Sequence, residues 1–320
     1  MRAFTEVRFE GTEEEIHAAW LSERLKGIGG SDASAVMGLN PYKTPLLVWM
    51  EKTGRMIPED ISDNPAVYWG NVLEDVVAAE FAKRHEGWRV RRKNALLRSK
   101  EHPFMQASLD REVTDDRGRH GVLECKTAGA HRKGDWEEGI PDYYLPQPIH
   151  YLAVTGYEFY AVAVLIGGQD YREYVYERDE KDVKLLIECE EALWHLIETD
   201  QMPMPTESSA DSAALLDLNP DPGDEYLSEL DDDIPEIARY AEACERFKQA
   251  DDEKRTLANL LRKRIGESKG IETPRYRATW VRSEVARFDQ KAFASDHPDV
   301  YEHYMTVSAR DGGIRIKEVA

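Results

Sequence analysis

The segment GVLECKTA, residues 121–128, places two opposite charges inside a short apolar strand pattern. Side chains alternate across a strand, so Val122, Glu124 and Lys126 share one face. The segment is expected near the centre of a sheet, where buried charge is costly unless a partner or a metal ion compensates it. A lone Glu-x-Lys pattern is most often a salt-bridged pair on a solvated face, so the neighbouring residues decide its interpretation.

A second carboxylate precedes this strand. Asp110 ends the strand pattern MQASLD, and a hairpin of the two strands would bring two carboxylates and an ammonium group together. Oxygen ligands of this kind suit Mg²⁺, and the backbone carbonyl of Cys125 is a further candidate ligand. A metal ion held there can polarise a phosphate and make a bound water more acidic. The pattern therefore predicts a metal site suited to phosphodiester hydrolysis.

The order of the secondary-structure patterns predicts an α/β (α+β) fold. Helices are followed by a series of strands, then by the helix PQPIHYLAVTG at 146–156, two strands and a closing helix. This order predicts a central mixed sheet flanked by helices in a domain at 1–206. An acidic stretch at 207–233 is predicted as a linker or loop, and 234–320 as a helical extension with short terminal strands such as GIRIKEV.

Two helix patterns are long enough to predict a buried face. The segment 65–85 has an apolar stripe formed by Val67, Val72 or Leu73, Val76, Val77 and Phe81. From Ile234 to about Ser268, apolar residues recur at steps of three or four among many charges, which predicts an amphipathic helix that could be half of a hairpin. These residues are Ile237, Ala241, Cys244, Phe247, Leu257, Leu261 and Ile265.

Composition limits the environment and the partners. A net charge of -20 argues against a uniformly basic, nucleic-acid-binding surface, although the segment WRVRRKNALLRSK at 88–100 could form a local basic groove. The three cysteines are scattered, which is typical of a reducing cytoplasm and argues against a disulfide scaffold. The chain has neither a long apolar run nor a secretory signal pattern at its start, so a cytoplasmic protein without a membrane span is expected.

Five motifs in order give the sequence a resemblance to the lambda-exonuclease and YqaJ-like viral recombinase family of the PD-(D/E)xK nuclease superfamily. They are AWLSERLKGIGGSDASAVMG, WGNVLEDVVAAEFAK, ASLDREV, VLECKT and YYLPQPIHYLAVTG, and the resemblance covers roughly residues 18–200. It implies a restriction-endonuclease-like core and a Mg²⁺-dependent exodeoxyribonuclease that resects double-stranded DNA ends, 5′ to 3′, leaving 3′ single strands for phage-type recombination. It also implies two metal ions per site with Mn²⁺ able to substitute, a homo-oligomer in the form of a ring trimer, and a single-strand annealing protein as a partner.

The resemblance also implies roles for individual residues. The metal ligands would be Asp110, Glu124 and the Cys125 carbonyl, and Lys126 would be the catalytic lysine. Glu74 would lie near the metals through a second ion or its waters, and Gln147 would hydrogen-bond within the active site. A terminal 5′-phosphate would be bound by Arg24 and Ser31. Two departures from the family pattern are the DRE turn at Asp110, where many relatives have Gly, and Pro148 directly after Gln147. The basic run His131, Arg132 and Lys133 follows the Glu-x-Lys strand and is a further candidate for contacts with the DNA backbone.

Two other functions stay open. An endonuclease or nickase on the same fold would cut covalently closed circular DNA, which an exonuclease leaves intact. A non-catalytic DNA-end-binding module would bind DNA without cleavage and without stabilisation by metal. An active site that has lost its catalytic function has no physical reason to retain buried like charges. The presence of Asp110, Glu124 and Lys126 together therefore favours an enzyme.

Overall fold

A computed structural model describes residues 2–58, 64–220, 234–306 and 312–316. The chain divides into two compact units, Met1–Leu218 and Asn219–Ala320. Within the described ranges, no helix combines the length and the apolar character needed to cross a membrane.

The first unit alternates helices and strands. In chain order it contains β1 (Phe4–Val7), α1 (Glu13–Arg24), β2 (Ile28–Gly29), α2 (Gly30–Val36), α3 (Pro45–Lys52), α4 (Pro65–Arg84), β3 (Arg89–Arg91), β4 (Leu96–Ser99), β5 (Met105–Ala107), β6 (Arg111–Thr114), β7 (His120–Ala128), a 3-10 helix (Ala130–Trp136), α5 (Pro146–Thr155), β8 (Phe159–Ile166), β9 (Asp170–Glu177), α6 (Glu180–Glu198) and α7 (Ser209–Leu218).

The main sheet has five strands in the order β3-β6-β7-β8-β9, and a smaller sheet has the order β1-β4-β5-β2. Strand β7 runs parallel to β8, whereas the other pairs of the main sheet are antiparallel. A parallel pair needs a crossover connection, and α5 lies in the crossover between β7 and β8. The prediction of a mixed sheet in an α/β fold is confirmed, and GVLECKTA is its central strand.

Helices cover both faces of the main sheet because side chains alternate along β7 and β8. Val122 packs in one core with Tyr151 and Leu152 of α5. Leu123 packs in a second core with Val77 and Phe81 of α4. The period-two pattern of the strand therefore separates an α5 side, which also carries Glu124 and Lys126, from an α4 side.

The helix predicted at 65–85 is confirmed as α4, but its predicted apolar stripe is partly wrong. Val77 and Phe81 are buried, whereas Val72 and Val76 are 46% and 55% exposed. Successive residues of a helix are rotated by about 100°, so the face that packs on β7 and β8 through Val77 turns Val76 toward solvent.

The first unit extends beyond the predicted boundary at residue 206, because α7 lies within the range predicted as a linker. Asp211 of α7 is buried, and its carboxylate accepts hydrogen bonds from the Thr44 hydroxyl and from the backbone N and hydroxyl of Thr206, the latter two at 2.6 and 2.8 Å. Ala214 packs in a core with Leu46 and Trp49 of α3. The remainder of the predicted linker, 221–233, lies outside the described residues.

Replacing Asp211 with alanine should destabilise the first unit. The buried hydroxyl of Thr44 and the N–H of Thr206 lose a charged acceptor, so we expect the free energy of unfolding to fall by about 2 to 3 kcal/mol. Urea denaturation followed by tryptophan fluorescence measures this change. Asp217→Ala on the exposed face of the same helix is the matched control and should change stability little. Equal effects of the two substitutions would contradict the structural role of Asp211.

The second unit contains α8 (Pro235–Ile265), a hairpin of β10 (Gly270–Glu272) and β11 (Arg277–Thr279), α9 (Gln290–Asp296) and α10 (Pro298–His303). The antiparallel hairpin pairs Gly270 with Thr279 and Glu272 with Arg277. The predicted amphipathic helix is confirmed in its extent as α8. The predicted terminal strand GIRIKEV lies partly outside the described residues, and the described residues 312–316 do not form a strand.

Candidate active site

Strand pairing brings Asp110 to Glu124. Strands β6 and β7 are antiparallel with Arg111 opposite Leu123, and the same register places Asp110, one residue before β6, opposite Glu124. Directly opposed residues of an antiparallel pair lie on the same face of the sheet. The Cys125 backbone N donates a hydrogen bond to Asp110 Oδ2 at 2.8 Å, which fixes the Asp110 carboxyl against β7.

Lys126 and Gln147 complete a hydrogen-bonded network around Glu124. Lys126 Nζ donates to Glu124 Oε1 at 2.7 Å and to Gln147 Oε1 at 2.9 Å. Gln147 Nε2 donates to Glu124 Oε1 at 2.6 Å and to the Tyr151 hydroxyl at 2.9 Å. Lysine can only donate and a carboxylate can only accept, so these partners fix the orientation of the Gln147 amide.

Gln147 lies in the first turn of the crossover helix α5, which places it in this network. The helix begins at Pro146 and ends at Thr155, and it is followed by Gly156, which adopts φ +70° as its C-cap. Pro148 therefore falls in the first helical turn, where a missing N–H costs no intrahelical hydrogen bond. Although Pro148 departs from the family pattern, Gln147 still forms hydrogen bonds with both Lys126 and Glu124.

The electrostatics of the cluster favour a bound cation. Burial and the neighbouring Glu124 carboxylate raise the pKa of Asp110 to about 8. Glu124 is 3% exposed, and its second carboxylate oxygen, Oε2, is buried without a hydrogen-bond partner. Burial disfavours the ammonium form of Lys126, but the charge of Glu124, its hydrogen bond and the charge of Asp110 together outweigh this and raise the Lys126 pKa. One ammonium group thus faces two carboxyl groups, one of which has an oxygen without a partner.

The donor set fits a hard divalent cation. Asp110, Glu124 and the Cys125 carbonyl offer oxygen atoms, which are the ligands that Mg²⁺ and Mn²⁺ prefer. Mg²⁺ in phosphate-processing sites is commonly held by only one or two carboxylates together with waters and substrate oxygens. In the part of the chain that the structure describes, no group of three or more His, Cys, Asp and Glu side chains is arranged to hold a metal ion, so protein carboxylates alone would not complete the coordination shell.

Glu74 lies near this cluster but is engaged by arginines. Its Oε1 accepts from Arg111 at 2.5 Å and from Arg92 at 3.4 Å. Arg111 also pairs with Asp75, and its side chain is almost fully buried. Glu74 is close enough to contribute to the raised pKa of Asp110. A direct or water-mediated role of Glu74 at a metal stays a prediction, and Arg111 is the residue that positions it.

Arg24 and Ser31 are brought together as predicted for a phosphate-binding pair. Arg24 donates to the Ser31 hydroxyl at 2.6 Å, and its guanidinium lies over the Trp20 ring at 4.7 Å. Lys52 donates to the Arg24 carbonyl at 2.9 Å and pairs with the buried Asp32 at 2.9 Å. These contacts hold the segment at 24–32, which includes the start of α2, in place; phosphate binding by Arg24 and Ser31 stays a prediction.

Tyr151 connects that segment to the carboxylate cluster. A Cβ added at Gly30 would lie 2.4 Å from the Tyr151 ring, so only glycine permits the close approach of the two residues. The Tyr151 hydroxyl accepts from Gln147, and its pKa is raised by burial and by the charges of Glu124 and Asp110. The proposed phosphate-binding segment and the Lys126 network are therefore in contact through Gly30 and Tyr151.

The predicted basic contacts to DNA are mostly paired with acids in the structure. His131, Arg132 and Lys133 lie on the exposed 3-10 helix after β7, where Arg132 pairs with Asp135 at 3.0 Å and Lys133 with Asp170 at 3.0 Å. The basic segment at 88–100 behaves similarly, because Arg92 pairs with Asp75, Lys93 with Glu6 and Arg98 with Glu23. A DNA contact by these residues stays a prediction, and it would require these ion pairs to open.

Comparisons with known proteins identify the family to which the chain is related. A family model for the YqaJ-like viral recombinase domain matches residues 19–158. The chain is 36% identical over 288 residues to the protein YqaJ of Bacillus subtilis (strain 168), covering 88% of this chain and 89% of that protein. Among solved structures, the alkaline exonuclease LHK-Exo from Laribacter hongkongensis matches with a TM-score of 0.47 and 18% identity over 57% of this chain and 93% of that chain. The LHK-Exo complex with dAMP matches with a TM-score of 0.46 and 19% identity over the same shares.

Proposed function

The chain belongs to the YqaJ-like viral recombinase family. On that premise we propose that it is a divalent-metal-dependent exodeoxyribonuclease with a site of the PD-(D/E)xK type that its sequence resembles. Its substrate would be a double-stranded DNA end, resected 5′ to 3′ by phosphodiester hydrolysis to leave a 3′ single strand for recombination. The observation that carries the proposal is the convergence of Asp110, Glu124 and Lys126, with one Glu124 oxygen left without a hydrogen-bond partner.

The oxygen atoms of Asp110, Glu124 and the Cys125 carbonyl would hold the metal, Mg²⁺ or Mn²⁺, with two ions per site as the family implies. When bound, the metal would polarise the scissile phosphate and make water a better nucleophile at neutral pH. Glu74 lies close enough to Asp110 to contribute through the waters of an ion.

Lys126 keeps its proton because Glu124 raises its pKa. It would present an ammonium group to the negative charge that develops on the phosphate oxygens during hydrolysis. Gln147 holds both Lys126 and Glu124 by hydrogen bonds, which limits the rotamers of the two charged groups. Such preorganisation means that little rearrangement accompanies the reaction.

The activity is tested with blunt linear duplexes labelled at either end, incubated with the protein and Mg²⁺. We expect label at the 5′ ends to be released first, and a covalently closed circle to remain intact. Cleavage of the circle would identify the protein as an endonuclease or nickase. DNA binding without release of any nucleotide would instead favour the non-catalytic end-binding alternative.

Arg24→Ala should reduce the preference for phosphorylated ends. We expect the rate on 5′-phosphorylated duplex to fall by about tenfold, because a guanidinium–phosphate hydrogen bond is charge-assisted, while the rate on a 5′-hydroxyl duplex changes little. The ratio of the two rates is the measurement, and Arg8→Ala at an exposed position is the control. An equal loss on both substrates would assign Arg24 a structural role instead.

The assembly and the partners of the enzyme follow only from family membership. We infer a homo-oligomeric ring of three subunits around DNA, a cytoplasmic location in a bacterial or phage-infected cell, and a single-strand annealing protein that receives the product strand. His131, Arg132 and Lys133 would contribute to the DNA-facing surface if DNA phosphates replace their present acidic partners.

A further inference from the structure

Helix α8 of the second unit is long and has almost no buried face. It spans 31 residues, Pro235 to Ile265, which corresponds to a length of about 46 Å. Ile265 is its only buried residue among those described, whereas Ile237, Phe247 and Leu261 are 48%, 77% and 46% exposed. A helix of this length with exposed apolar side chains is expected to bury them against a partner.

The apolar residues of α8 follow a heptad pattern. Position a is occupied by Ile237, Cys244, Asp251 and Ala258, and position d by Tyr240, Phe247, Lys254 and Leu261. Ile265, the next a position, is already buried within its own unit and ends the free seam. Apart from Asp251 and Lys254, every residue of this seam is apolar. A seam of a and d residues is the surface through which helices pair in coiled coils. The two exceptions are opposite charges at the middle of the helix.

The seam is complementary to itself when two copies run antiparallel. With a two-fold axis midway between Asp251 and Lys254, Asp251 of each copy faces Lys254 of the other. The same register sets Cys244 opposite Leu261 and Phe247 opposite Ala258. A parallel pairing would instead stack Asp251 on Asp251 and Lys254 on Lys254, which is unfavourable for both layers.

We propose that α8 is a dimerisation helix that pairs antiparallel with α8 of a second copy of this chain. The interface is isologous, so both oppositely charged layers form at once. Ala250 and Leu257 widen the apolar seam on one flank. The pair is a contact additional to the ring of three subunits inferred above, and it does not depend on the nuclease activity because it uses only the residues of α8.

One flank of the seam carries like charges, which limits the stability of the pair. The antiparallel register brings Lys248 near Arg255 of the second copy. Arg255 is already paired within its own helix, with Asp251 at 2.5 Å and Asp252 at 3.3 Å. These acids reduce the repulsion between Lys248 and Arg255. Because they lie within one helix, they act in either orientation, and the preference for the antiparallel register comes from the Asp251–Lys254 layers.

Disulfide trapping in the full-length chain tests the register. Leu261→Cys would place a thiol opposite Cys244 of the second copy, and oxidised glutathione would accept the two electrons and two protons as the bridge forms. Within one helix these positions are about 25 Å apart, far beyond disulfide reach, so any bridge between them joins two chains. We expect a covalent dimer for Leu261→Cys and none for wild type or for Leu261→Cys combined with Cys244→Ser.

The same experiment distinguishes the alternatives. A wild-type dimer linked through Cys244 would indicate a parallel pair and would overturn the proposal. Absence of the covalent dimer in Leu261→Cys, with helicity retained by circular dichroism, would also overturn it, since the helix would then be covered by something other than a second copy.

A charge exchange provides an independent test by sedimentation equilibrium of the full chain. Asp251→Lys should weaken self-association by at least about tenfold, because two Lys–Lys contacts replace two ion pairs. Adding Lys254→Asp should restore association in the antiparallel pair. In a parallel pair, Asp251→Lys would only exchange an Asp–Asp layer for a Lys–Lys layer, so the single substitution would cause no comparable loss of association. Glu253→Lys, which removes an exposed neighbouring acid outside the seam, is the matched control and should leave association unchanged. Equal association of wild type and Asp251→Lys would contradict the proposal.

Discussion

Lys126→Ala should lower the rate of hydrolysis of linear duplex DNA by about a thousandfold. Removal of a single preorganised group that stabilises transition-state charge commonly costs on the order of 10²–10³ in turnover. Here the loss is expected at the upper end, because Lys126 also neutralises the buried Glu124 and anchors Gln147. Release of nucleotide from an end-labelled duplex at saturating Mg²⁺ measures the effect.

Two controls separate chemistry from folding in this experiment. Lys184→Ala removes a lysine that is 79% exposed on α6 and should leave the rate unchanged. Thermal unfolding of Lys126→Ala reports whether the uncompensated Glu124 destabilises the fold, which it can do by a few kcal/mol. A folded Lys126→Ala protein that cleaves DNA at the wild-type rate would remove Lys126 from the mechanism.

Divalent ions should stabilise the wild-type protein and fail to stabilise Asp110→Asn. In the metal-free cluster, burial and the neighbouring Glu124 carboxylate raise the pKa of Asp110 to about 8, so a bound cation would relieve an unfavourable charge there. An ion at about one hundred times its Kd adds about 2.7 kcal/mol of stability. For a unit of this size we expect a rise in Tm of about 5 °C or more. Differential scanning fluorimetry with Mn²⁺, Mg²⁺ or a chelator measures it.

The amide of Asp110→Asn retains an acceptor for the Cys125 N–H and removes one carboxyl from the pair. We therefore expect the metal-free variant to be at least as stable as the metal-free wild type, so that a lost response to metal is not a folding defect. Asp217→Asn, at an exposed position, should respond to metal like the wild type. Equal metal-induced shifts in wild type and Asp110→Asn would place the ion elsewhere.

The local patterns of the sequence were sufficient to predict the elements that build the site. The alternation in GVLECKTA assigned Glu124 and Lys126 to one face, and the prolines and Gly156 fixed the ends of α5, because both signals depend on residues near in sequence. The register that sets Asp110 opposite Glu124 followed from the proximity of two consecutive strands.

Contacts between distant segments could not be predicted in this way. The hydrogen bond between Thr44 and Asp211 joins residues 167 positions apart. It holds α7 against the rest of the first unit, although the sequence around α7 is typical of a linker. The pairing of Arg111 with Glu74 joins β6 to α4 across 37 positions, and the sequence shows only an unusual DRE turn. Such pairs depend on how distant segments are placed in the folded chain. The periodicity of a single segment carries no information about that placement.

The close approach of Gly30 to Tyr151 has a consequence for how the proposed enzyme can evolve. Any side chain at position 30 would collide with the aromatic ring, and the displacement would reach Gln147 on one side and the backbone next to Ser31 on the other. Selectivity for a type of DNA terminus and speed of hydrolysis would then change together rather than separately. Natural variants that relax one of these properties while preserving the other are expected to carry their changes away from this glycine.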